Sequence, residues 1–105
     1  MDYFDEILAF EANVCTFDMS AGLINGNLLS GIPTVKGISV WSGVDPNPLA
    51  IQNGAATLDV TKTLILVPVK GMLAGEQYLI EVSSATNIPT ITLGKQAVLP
   101  VCAVA

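Results

Sequence analysis

The chain has 105 residues, 51% of them hydrophobic and only 12% charged; nine acids face four lysines, histidine is absent, and the net charge is −5. That length fits one domain of ordinary size. An acidic balance with no basic stripe excludes a phosphate-backbone partner, and the lack of histidine removes the commonest general base, the usual partner of a Ser or Cys nucleophile and the commonest metal ligand.

The first element, residues 1–11, is expected to be either a short helix, with Phe4, Ile7, Leu8 and Glu11 at spacings of three and four, or an extended arm. Its apolar side chains Tyr3, Phe4, Ile7, Leu8 and Phe10 stand beside Asp2, Asp5, Glu6 and Glu11, which suits docking on a neighbouring chain or packing as a lid on its own domain. The acids at the start stand where a secretory signal carries basic residues, so no targeting peptide is expected.

Residues 12–105 then show strand signals at intervals of about 10 to 15 residues, separated by Gly, Asn, Pro and Ser, the rhythm of a sandwich or barrel. Asn13 to Met19 alternates Cys15, Phe17 and Met19 against Thr16 and Asp18. After the breaker Gly31-Ile32-Pro33, a strand is predicted from Thr34 to Trp41, followed by a loop around Asp45-Pro46-Asn47-Pro48. Ala56 to Val60 reads as a short strand, and Thr63 to Lys70 as another that aligns Ile65, Val67 and Val69. Gln77 to Ser83 aligns Tyr78, Ile80 and Val82, and the last strand is predicted from Gln96 to about Val104. Pro68 and Pro100 have no amide hydrogen for a ladder, which points to edge positions or bulges. Phe17, Trp41, Ile65, Val67, Ile80 and Val82 are the expected core, and about seven strands the expected count.

The chemistry of known sites is not matched. Cys15 and Cys102 are too few for a four-ligand zinc site, and no carboxylate run has the spacing of a calcium loop. The two cysteines lie near opposite ends of the chain, where a bridge is possible but two reduced, buried thiols are the simpler reading. Asp45 and Asp59 are single acids in turn-like segments, expected to be solvated side chains or to form Asx-turns rather than a catalytic pair. No glycine-rich loop leads into a helix to cradle phosphate. No catalytic residue, cofactor, metal or small-molecule substrate is therefore expected. No apolar run reaches the roughly 20 residues of a membrane-spanning helix, so no membrane partner is expected either. Soluble chains are about a quarter charged, and the apolar surplus here points to partner subunits.

The segment Leu73-Ala74-Gly75-Glu76-Gln77-Tyr78 places a glycine turn before a tyrosine at the head of an alternating strand. This is the sequence form of a tyrosine corner, in which the ring joins the core and the hydroxyl bonds to backbone just upstream. It resembles the approach to the sixth strand in fibronectin type III and immunoglobulin-like domains, and it sets the expected fold as an all-β sandwich of that type. In such sandwiches a tryptophan like Trp41 is often buried.

A wider resemblance runs through Phe17-Asp18-Met19-Ser20, Leu28 to Ile32, Val40-Trp41, Gly43 to Pro48, Gly71 to Tyr78, Val82-Ser83-Ser84 and Leu99-Pro100-Val101. The order of these features is similar to small structural proteins of tailed-phage virions, the fibre-to-tail adaptors and neck proteins built on an immunoglobulin-like sandwich. The resemblance implies a non-enzymatic virion subunit, made in the host cytoplasm, assembled with itself in a ring or lattice and with other tail, neck, fibre or capsid proteins. A capsid decoration protein is the alternative within the same physics. A sandwich-type cell-surface or carbohydrate-binding module is the alternative from a different class, and it would require two or three exposed aromatics on one face plus a calcium or polar cluster.

Overall fold

Alternation of apolar and polar residues with a period of two is satisfied only if one side of a strand is buried, and two sheets facing each other supply that burial. The computed structural model describes residues 2–23 and 26–103. It shows such a sandwich, with β1 at Asp2–Tyr3, β2 at Asn13–Asp18, β3 at Leu29–Ser42, β4 at Thr57–Leu58, β5 at Leu64–Val69, β6 at Gln77–Thr86 and β7 at Thr92–Pro100. One sheet has the order β1-β7-β6-β3 and the other β2-β5-β4. All pairs are antiparallel except β1 with β7. The split of β2, β5 and β4 from β3, β6 and β7 is that of the immunoglobulin-type sandwich.

The inner faces follow the alternation. Cys15 and Phe17 from β2 and Ile65, Val67 and Val69 from β5 pack in one buried cluster with Tyr78, Ile80 and Val82 from β6 and Ala97 and Leu99 from β7. Each fully buried aliphatic or aromatic side chain of this kind contributes about 1.5–3 kcal/mol relative to exposure.

Several expectations are corrected. Residues 2–11 form no helix: they extend, and β1 pairs in parallel with β7 at Asp2↔Ala97 and Tyr3↔Val98. Gly31-Ile32-Pro33 does not precede a strand but lies within β3, where the register with β6 shifts between Ser30 and Thr34. Trp41 is not in the core and is 46% exposed. The register shifts again between Val40 and Ser42, which makes Trp41 the extra residue of a bulge, while Val40 packs against the core. β6 runs on to Thr86 and β7 begins already at Thr92. Met1 and Val104, the outer limits of the expected arm and last strand, lie outside the described residues.

The two strand prolines sit in interior strands, not edge strands, yet the reason they are tolerated is local. β4 pairs only with Ile65 and Leu66 of β5, so Pro68 lies beyond its reach. The Pro68 carbonyl accepts the Asn53 N–H at 2.8 Å, and its nitrogen faces the same side, away from β2, where there is only the isolated bridge between Gln52 and Val69. Pro100 behaves alike at the end of β7, where its carbonyl accepts Ile7 N–H at 3.2 Å.

Candidate assembly surfaces

β7 would be an open edge if the chain began at β2, and an open edge is a row of unpaired backbone groups. The arm covers it. Phe4 N–H donates to the Val98 carbonyl at 2.9 Å, and Cys102 N–H donates to the Ile7 carbonyl at 2.8 Å. With this path fixed, Phe4 turns inward and meets the Phe17 ring edge to face, with centroids 5.0 Å apart at 87°. Phe4 and Ile7 thus pack against their own core and stay partly exposed, as a lid on the domain would. Leu8 is half-buried, whereas Tyr3 is 58% and Phe10 73% exposed. Lys95 holds the seam from outside: its Nζ lies 3.6 Å from the Asp2 carboxylate and donates to the Asp18 carbonyl at 3.0 Å. An exposed ion pair of this sort is worth about 0–1 kcal/mol.

The segment Gly71 to Tyr78 folds as a corner. Gly75 turns with φ +80°, a conformation suited to glycine, and Tyr78, fully buried, accepts Leu73 N–H on its hydroxyl at 3.1 Å. The hydroxyl in turn donates to Asp45 Oδ2 at 2.7 Å, while Asp45 Oδ1 accepts Asn47 N–H at 2.9 Å. Burial first, and the neighbouring Asp45 carboxylate in addition, push the phenol up to about 12, against the opposing pull of the Leu73 N–H. Tyr78 therefore remains a proton donor at physiological pH and ties the β3–β4 connection to the head of β6. Sequence reasoning missed the Asp45 partner, which lies 33 residues away and leaves no local signal.

Asp59 also organises backbone. Its carboxylate accepts N–H groups from Thr61, Thr63 and Leu64 and bonds the Thr61 hydroxyl. The Thr61 hydroxyl above all, with these amides, holds the acid down at about 2. The cysteines are unbridged, and burial pushes the Cys15 thiol up to about 12. Among the described residues no three His, Cys, Asp or Glu side chains come together.

The outer side of the four-stranded sheet is more apolar than alternation suggests. Tyr3, Val98 and Leu79 stand in cross-strand register, and Val98 is fully buried there although it is not part of the inner cluster. Trp41 lies on the same outer side. Comparison with known proteins finds no family model, no curated protein and no solved structure that matches the chain.

Proposed function

We propose that this protein is a non-enzymatic structural subunit that acts by protein–protein assembly and, following its resemblance to the fibre-to-tail adaptors and neck proteins, that it joins components at the neck or tail of a tailed-phage virion. The observation that carries the assembly reading is the placement of apolar side chains outside a core that is already complete. Ile32, Val44 and Val60 are 84%, 79% and 98% exposed, while the interior is filled by other residues. Exposed apolar surface that gathers into a contiguous patch marks an interaction site.

Antibody labelling of purified virions of the phage that encodes the chain tests the location. Label at the neck or tail is the expected result. Label over the head shell would replace it with the capsid-decoration reading, and absence from the particle would overturn both. A second reading, a carbohydrate-binding module, is favoured by one observation, the exposure of Tyr3 and Trp41 on the same side of one sheet. Quenching or enhancement of Trp41 fluorescence across an oligosaccharide panel would support it, and a flat signal would dismiss it.

A further inference from the structure

Resting on the carbohydrate-binding reading and deepening it, we propose that the outer face of the four-stranded sheet binds an uncharged oligosaccharide, its hydroxyls in a polar trough across β3, β6 and β7 and its apolar ring faces on Trp41 and Tyr3. Tyr78, Ile80 and Val82 face the core, so alternation turns Gln77, Leu79, Glu81 and Ser83 outward. Two bulges of β3 add side chains to this outer face. Lys36 is the extra residue between the pairs Val35↔Val82 and Gly37↔Glu81, and Trp41 the extra residue between Val40↔Tyr78 and Ser42↔Gln77. Bulges re-aim side chains and recur beside binding and active sites.

The pairings set the outer face out in rows. Thr34, Ser83 and Gly94 form the first, Gly37, Glu81 and Gln96 the second, Ser39, Leu79, Val98 and Tyr3 the third, and Trp41 lies beyond them opposite Gln77. Three steps of two residues at ~3.3 Å each cover about 20 Å, the length of an extended site. Gly94 leaves a gap in the first row, where a Cβ would meet only the Val82 carbonyl, at 3.4 Å. A trough of about 380 Å³ opens there over Val82, between Lys36, Glu81, Ser83, Gly94, Lys95 and Gln96. The third row, with Val98 buried and Leu79 half-buried, continues the trough as an apolar floor flanked by Tyr3 and Trp41. A few polar groups beside an apolar, aromatic surface are the usual make-up of a small-ligand site.

Charge and hydrogen bonding choose the ligand. Glu81 offsets Lys36, and the second lysine of the trough, Lys95, already lies 3.6 Å from the Asp2 carboxylate. The trough thus selects neither an anion nor a cation. Lys36 only donates hydrogen bonds, ionised Glu81 only accepts them, and Ser83 and Gln96 do both. A sugar hydroxyl donates and accepts without charge and so suits all four. The C–H faces of a sugar ring in turn suit the electron-rich faces of Trp41 and Tyr3.

Isothermal titration calorimetry of the full chain with cellohexaose, maltohexaose, chitohexaose and mannohexaose tests this. At least one of the four is expected to bind with one site per chain. Trp41→Ala and Glu81→Ala are each expected to weaken that binding about tenfold or more. Gly94→Val is expected to abolish it by filling the trough while removing no polar group. All three positions are exposed, so the variants are expected to keep the thermal midpoint of the parent. Binding that persists unchanged in Glu81→Ala and Gly94→Val would overturn this site and leave the carbohydrate reading to another surface. Failure of all four sugars to bind would overturn both, with the assembly reading untouched.

Discussion

Ile80 and Ile32, or Val67 and Val60, are the same side chains in opposite surroundings: Ile80 and Val67 are fully buried, and Ile32 and Val60 are 84% and 98% exposed. Ile80 and Val67 sit at alternate positions of regular ladders. Ile32 sits where β3 slips against β6, and Val60 in the turn before β5. Side-chain hydrophobicity does not decide burial in this molecule; the regularity of the ladder beneath does.

The sharpest way to break that contrast is to truncate both members of a pair. Ile80→Ala is expected to destabilise by about 2–5 kcal/mol in chemical denaturation. Ile32→Ala should stay within about 0.5 kcal/mol of the parent, and a loss comparable to Ile80→Ala would show that the bulge is part of the core. Within the arm, Phe4→Ala removes an edge-to-face contact and a half-buried ring and is expected to cost about 2 kcal/mol, whereas Phe10→Ala should be near neutral in the same assay.

Tyr78→Phe is a smaller and more specific change. It strands the Leu73 amide and removes the tie to Asp45, with an expected loss of about 1–2 kcal/mol at neutral pH. It should also alter the alkaline limb of the stability curve. The folded phenol titrates at about 12 and the unfolded one near 10, so its contribution is fully present below pH ~10 and is lost as pH rises toward 12. Cys15, raised to about 12, adds a second loss of the same sign that starts nearer pH 9. The phenylalanine variant keeps only the cysteine part, and an unchanged slope would mean that Tyr78 is not held as described. Smallest in energy is the thiol contrast itself: Cys15 should resist a thiol reagent in the folded protein and react only on unfolding.

What the sequence made legible was local. Phe17, Ile65, Val67, Ile80 and Val82 could be assigned to inner faces because a period of two needs only a few neighbouring residues, and the Leu73–Tyr78 contact spans five. Trp41 could not be placed, because its exposure comes from a bulge defined by the register of β3 on β6 and not by its own neighbours. The role of the arm was ambiguous for a related reason. Phe4 and Ile7 turn inward because β7, more than 90 residues later, offers an open edge, and nothing near Phe4 encodes that. The exposed side chains Ile32, Val44 and Val60 were visible only as part of a surplus in composition until the strand registers placed them outside the core.

The molar mass of the intact protein, measured by light scattering over a wide concentration range, tests the central claim most directly, that the exposed apolar residues serve assembly and not folding. The mass is expected to climb from that of a single 10.9 kDa chain to that of a multi-subunit species, and to fall back to the single chain when Val60 and Ile32 are both replaced by Asp, with the thermal midpoint unchanged. A mass fixed at one chain throughout, together with a thermal midpoint that collapses in the double variant, would mean that these side chains support the fold and would contradict the account.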